Sequence, residues 1–378
     1  MMFGRDAEEG GIMPKSRTTP QQGTYLCDNA GDSASRFGLG SSDLGIPYLR
    51  YDGTWGYVFG DSFRGQEATG EFIGSPVVLY QATFDASGHT PITFTAAEPM
   101  PTCAQLFDYR HNADNGFGFE VSRIPNDAIT LTVDGRNRIF IQYTSVHRWV
   151  GPGSAVDGSL MSGIAYSDDN GATWQDFDRH WPGDGQGNPG SLDMMWSFAG
   201  VDPDGWLYVF SKAWNGSHFY TGDRGQIQLF RYRPADFFHG DLDTREHWVY
   251  LDETWQWVPA VQAAPSSLFG WANGIAEFSV KRIGELYIMS YFDVTDFSIR
   301  TRTAPRPDRI WTAPKTQVAG STMGPPTHRF RRTQPFPYGG YLHPGSASPA
   351  ELTLLISSWN GRLGERPYTV TQWSGLAA

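Results

Sequence analysis

Cysteine is nearly absent from this chain, with Cys27 and Cys103 alone among 378 residues. No CxxC pair occurs, which excludes a cysteine-ligated zinc site. The two thiols either form one disulfide or stay free. No apolar run approaches 18 residues, so no helix of the sequence can span a membrane. The start, MMFGRDAEEGG, lacks the apolar segment of a signal peptide, and no cleaved export signal is predicted. Cationic side chains are scarce as well: 29 Lys and Arg face 40 Asp and Glu, a net charge of −11. That balance excludes nucleic acid, anionic membranes and acidic polymers as ligands and suits a neutral substrate. No His-x-His, HExxH or calcium-loop pattern is present, so no metal or other cofactor is expected; a channel metal with His147 or His343 as ligand is the alternative.

Long helical periodicity is missing too. In its place, 44 Gly and 25 Pro fall between short apolar runs rich in aromatic residues. Five such runs share one pattern: TWGYVFGDSF (54–63), RIFIQYTSVH (138–147), WLYVFSKAWN (206–215), ELYIMSYFDV (285–294) and LTLLISSWNG (352–361). Four follow a tight-turn pair, Asp52-Gly53, Asp134-Gly135, Asp204-Gly205 or Ile283-Gly284, of the kind that joins antiparallel strands. Another strand candidate precedes several of these turns (46–51, 128–133, 276–282), and a further one follows each run (76–84, 163–169, 227–233, 297–304, 368–373). Five repeats of about four strands predict an all-β, five-bladed β-propeller with four-stranded antiparallel blades. A sandwich or β-helix is the alternative. The propeller is expected over 23–378. Residues 1–22, polar and aperiodic, read as a flexible or docking arm. Ser167–Trp174 matches the S-x-D-x-G-x-T-W box of sialidase-like propellers, a folding element distant from the chemistry.

Asp43 and Asp61 lie at the same end of the first predicted hairpin, away from the Asp52-Gly53 turn. A three-residue loop at 52–54 would set Asp43 opposite Phe63, with Asp61 its diagonal neighbour at ~7–8 Å. That spacing matches an inverting glycosidase, whose two carboxyl groups stand ~6.5–9.5 Å apart; a retaining pair needs ~5–5.5 Å. One carboxyl would protonate the leaving oxygen while the other deprotonates water. The alternative is that each Asp merely caps a turn. Equivalent strand ends in the other blades supply a candidate sugar-binding ring: Asn126, His147, Asp193, Trp196, Lys212, Trp214, Asn273, Tyr291, His343 and Trp359. Flat rings pack on sugar C–H faces, and amides, carboxylates and ammonium groups bind hydroxyls.

The run Ser42-Asp-Leu-Gly-Ile-Pro47, followed by Tyr57-Val-Phe-Gly-Asp-Ser-Phe63, resembles the signature of glycoside hydrolase family 183, formerly domain of unknown function 4185. Tyr338–Pro344 and Leu354–Asn360 are similar as well, and the likeness extends over about residues 30–373. The resemblance implies a five-bladed propeller that hydrolyses internal α-D-arabinofuranosyl links of mycobacterial-type arabinogalactan and lipoarabinomannan. It places the catalytic pair on Asp43 and Asp61; analogy with other five-bladed arabinanases makes Asp43, before the inner strand, the base. Members are commonly exported. A chain without an export signal would suit a phage enzyme acting outside the cell at the bacterial wall, with the 1–22 arm docked to a tail or other particle. A non-catalytic receptor-binding propeller is the competing class; it would not need both aspartates.

Overall fold

A computed structural model describes residues 24–27, 32–65, 68, 70–149, 158–183, 191–214, 226–269, 274–321, 333–359 and 368–378. Strand makes up 52% of it and helix 4%. The strands form five blades around a channel, the predicted propeller. The innermost strands are Ile46–Leu49, Ser122–Val133, Met195–Val201, Ile275–Ile283 and Pro337–Leu342. Each packs on the next, and the fifth returns to the first. The five apolar runs are the second strands: Trp55–Phe59, Arg136–Val146, Leu207–Lys212, Leu286–Asp293 and Leu352–Trp359. They are nearly continuous in apolar character because neighbouring blades cover both faces of each sheet. Tyr57, Phe140, Phe210, Ile288 and Ile356 are fully buried there.

Two details depart from five equal blades. Blades two, three and four each carry a fifth strand: in blade two Gln175–Asp176 and Trp181–Pro182 both pair with Ser159–Ser167, and blades three and four add Thr254–Pro259 and Thr333–Pro335; the last pairs parallel to its neighbour. Blade five draws its outermost strand, Thr24–Cys27, from the other end of the chain, where it pairs with Tyr368–Leu376. This closes the ring with hydrogen bonds. Residues 1–22 lie outside the described residues. Cys103 is a free thiol, and burial pushes it up to about 11.

The turn chemistry follows the sequence. Asp134 and Gly135 both adopt positive φ (50° and 74°) in a two-residue connection between Val133 and Arg136, the backbone that matches strand twist. The Ser167–Trp174 box folds on itself. Asp169 accepts hydrogen bonds from the Thr173 backbone (2.8 Å) and hydroxyl (2.6 Å), and Trp174 Nε1 donates to Gly171 O (3.1 Å). Arg50 of blade one donates to Asn170 O, so the box also locks blade two to blade one. It sits at the Asp52 end of the molecule, opposite the two aspartates.

Candidate active site

Blade one places the two aspartates differently from the expected register. The loop is 51–53, not 52–54: Leu49 pairs Trp55, and the Arg50 N–H donates to Thr54 O (2.8 Å). That shifts the hairpin by one rung. The register persists to the channel mouth, where Ser41 bridges Phe63 and Ser42 Oγ lies 2.8 Å from Ser62 Oγ. Asp43 therefore stands opposite Asp61 instead of diagonal to it. The regular ladder is broken between these rungs. Leu44 and Gly45 both take φ of 66°, and the Gly45 and Gly60 N–H groups both donate to Asp43 O (3.0 and 3.3 Å). The hairpin opens into a short bubble with one carboxylate on each side. Gly60 leaves room for the carboxyl, since a Cβ at that position would lie 2.3 Å from Asp43 Oδ1.

Asp43 is 8% exposed. Its Oδ2 accepts a hydrogen bond from the Tyr338 hydroxyl (3.0 Å), while Oδ1 is buried without a hydrogen-bond partner. Burial, then the charge of Asp61, push the Asp43 carboxyl from the ordinary 3.8 up to about 7, against the pull of hydrogen bonds from Tyr368 and Tyr338. Asp61 is partly exposed. Its Oδ1 accepts a hydrogen bond from Ser122. Burial raises its carboxyl as well, opposed by Ser122, by the electrostatic influence of His111 and by Ser75. Chemically this is a deep carboxyl that keeps its proton near neutrality beside a shallower, better-solvated one whose anion is supported by hydroxyls.

Rings form a wall beside the pair. Trp359, half exposed, meets Tyr368 edge-on (5.2 Å); Tyr368 meets Phe63 (6.0 Å); Phe63 meets Phe72 (5.6 Å); Phe72 stacks on His111 (3.8 Å). Of the predicted ring, Trp359 stands here. His147 is part-exposed at the end of its strand, with Nδ1 donating to Phe119 O (2.8 Å).

The structure sets most of the others elsewhere. Trp196 is fully buried among Trp181, Phe230 and Phe198, and Tyr291 and Trp214 are 1% and 4% exposed. Trp196 and Tyr291 lie on sheet faces that the next blade covers and are core, whereas Trp214 lies past the end of Leu207–Lys212 and packs against the half-exposed Trp149 (6.2 Å). His343 is misplaced by a whole strand length. The Tyr338–Leu342 stretch is the inner strand itself and not the loop before it, so His343 falls at the far end. There it is fully buried, stacked on Phe84 (3.4 Å) and hydrogen-bonded to Tyr57 (3.0 Å), and burial holds it well below the usual histidine range. Asn126 sits at an inner-strand bulge with Nδ2 donating to Gln142, Thr144 and Met194 O. Asp193 pairs with Arg245 (2.9 Å) toward the rim of blade three. Lys212 is buried, its Nζ donating to Ala213 O (3.0 Å). Asn273 lies outside the described residues. Among the described residues no group of three or more His, Cys, Asp or Glu is arranged to hold a metal.

Sequence reasoning missed Tyr338, Tyr368, Ser75, His111 and Ser122, which act on the two aspartates, and Tyr109, whose hydroxyl Asp61 raises. It passed over Glu277 too. Tyr338, Tyr368 and Glu277 did lie in stretches already singled out (338–344, 368–373 and 276–282), but as strands or motif and not as site residues.

Comparison with known proteins fits this architecture. A presumed hydrolase from Bacteroides ovatus superposes with a TM-score of 0.58 at 12% identity, covering 92% of this chain and 88% of that one. In sequence, the chain is 27% identical over 365 residues to notoamide biosynthesis cluster protein J of an Aspergillus species, covering 92% of this chain and 88% of that protein. It is 29% identical over 181 residues to a 35.9 kDa protein of Mycolicibacterium smegmatis, 46% of this chain and 48% of that one. The family profile matches residues 28–374, from the edge of the ring-closing strand to the last strand of blade five, and takes in both aspartates. The chain belongs to the family described as domain of unknown function 4185 (DUF4185).

Proposed function

We propose that this propeller is a glycoside hydrolase that cuts internal α-D-arabinofuranosyl linkages of mycobacterial-type arabinogalactan and lipoarabinomannan. The observation that carries the reading is Asp43: a buried carboxyl, pushed up to about 7, facing Asp61 at the channel mouth. Asp43 protonates the departing glycosidic oxygen, and Asp61 serves the anomeric carbon as base toward water. This reverses the roles expected by analogy, because the deeper group keeps the proton. Tyr338 and Tyr368 fix the Asp43 carboxyl; Ser122 donates to and holds the Asp61 anion. The choice of arabinan rests on the motifs at 42–47 and 57–63, and the net charge of −11 favours a neutral polymer. Its place of action would be outside the cell, at the bacterial wall.

The facing register removes the wider spacing first used to argue for inversion. Inversion is kept as the proposal because a buried proton donor faces a second carboxyl that can serve water as base. The test is incubation with purified mycobacterial arabinogalactan, followed by sizing of the products and NMR of the anomer first formed. A ladder of short oligosaccharides with inverted configuration is expected. Retained configuration would make Asp61 a nucleophile. Tight binding with no release of oligosaccharides would leave a non-catalytic saccharide-binding propeller.

A further inference from the structure

Among the described residues three tryptophans are exposed: Trp149 and Trp359, 50% each, and Trp255, 39%. The first two share one construction. Trp359 ends the second strand of blade five and packs on the buried ring of Tyr368 (5.2 Å). Trp149 lies three residues past the second strand of blade two and packs on the buried ring of Trp214 (6.2 Å). In each case the buried ring restricts how the exposed one can turn and leaves part of it in solvent. Each is also one short step from an aspartate. Trp359 pairs Tyr368, which donates to Asp43. Val146, the last residue before the Trp149 turn, pairs Ser122, which donates to Asp61. At ~3.3 Å per residue, Trp149 stands within about 10 Å of that rung. Phe119, itself exposed, lies on the same side: its carbonyl oxygen accepts from His147 Nδ1 (2.8 Å) and its ring meets that of His147 edge-on (6.3 Å). Blade one packs between blades five and two, so the two tryptophans flank the aspartate pair. Trp255 is different. It stacks on Trp248 (5.8 Å) in the outermost hairpin of blade three.

We propose that Trp149 and Trp359 are saccharide platforms on the two sides of the scissile bond, so that an uncharged polysaccharide chain lies across the mouth and is gripped on both sides of the aspartates. The inference rests on the reading of the mouth as an arabinan site and adds the residues that hold the chain. Indole offers a broad apolar face to sugar C–H groups and a polar N–H at its edge. Such a contact needs no charge, which suits a neutral polymer on a chain of net charge −11. A docked protein would favour one contiguous apolar patch, whereas these two rings stand on different blades with the carboxylates between them. Holding a chain on both sides selects cleavage within it, because a terminal residue reaches one platform alone.

The test uses the full chain carrying Asp43→Asn, to separate binding from cleavage, and linear α-D-arabinofuranosyl oligosaccharides of increasing length, followed by calorimetry. Affinity should rise with length until both platforms are covered. Adding Trp149→Ala or Trp359→Ala should weaken binding of the longer chains roughly tenfold each and flatten that rise. Trp149→Phe and Trp359→Phe keep a ring and should retain most of the affinity. Trp255→Ala, which removes an exposed indole away from the mouth, should change nothing. In the chain with both aspartates, each mouth variant should raise KM on arabinogalactan and spare kcat, with an unchanged melting curve. Long chains bound equally well by both Ala variants, weakened by one of them alone, or weakened as much by Trp255→Ala, overturn the proposal and leave the two-aspartate reading intact. An Asp43→Asn chain that binds no arabinan at any length would instead sink the arabinan reading on which the proposal rests.

Discussion

At position 43 the fold keeps a carboxyl group that costs it stability. The Asp43 carboxyl titrates at about 7 in the folded chain against 3.8 ordinarily. A group raised in this way favours folding at low pH, and the advantage is lost as pH rises from 3.8 through about 7. At about 1.4 kcal/mol per unit, the penalty above pH 7 is on the order of 4 kcal/mol. Asp43→Asn should therefore raise the melting temperature at pH 8 and do little at pH 4; a melting curve at each pH checks this. Catalysis runs with the same sign. Activity should fall as pH rises through about 7, because the donor is then ionised, and should fall again in acid as Asp61, itself raised, takes up a proton. A flat pH–rate profile across that range would contradict the assignment. The pair was legible in the sequence because each aspartate sits at a strand end beside small residues. Its supporting hydroxyls were not, since Tyr338 reaches Asp43 across 295 residues and Ser122 reaches Asp61 across 61.

Among the elements, the first hairpin decides the geometry. Its loop starts one residue earlier than read from the sequence, and that alone turned a diagonal pair into a facing one. Gly60 then makes room for the Asp43 carboxyl. Gly60→Ala should fold, because the added Cβ meets a side-chain tip, yet it should displace Asp43 Oδ1. A shift of that size costs on the order of 10²-fold in turnover; kcat near wild type, measured beside an unchanged melting curve, would argue that Asp43 is idle. The second strands were readable because they combine apolar continuity with a preceding turn. The binding ring was not. Strand-end aromatics look alike in sequence whether the next blade covers them, as with Trp196 and Tyr291, or solvent reaches them, as with Trp359.

For the molecule as a whole, closure depends on Thr24–Cys27 adding the outer strand of blade five. Deleting the chain through Cys27 would leave the edge of Tyr368–Leu376 unpaired, a site for self-association. That variant should melt lower and show added aggregation by light scattering; an unchanged melt would make the strand dispensable. The five-fold repeat was visible in the sequence, whereas this strand was too short and too far from its partner to be assigned to a blade. The central claim is that Asp43 and Asp61 together cut a polysaccharide. The most direct measurement is the rate of oligosaccharide release from arabinogalactan by wild type, Asp43→Asn and Asp61→Asn. Each isosteric change should keep the fold and lower turnover by ~10²–10⁴-fold, with Asp43→Asn recovering on substrates that carry a good leaving group and Asp61→Asn recovering with added azide. Release by both variants at near wild-type rates would contradict the account and leave a propeller that binds saccharide without cutting it.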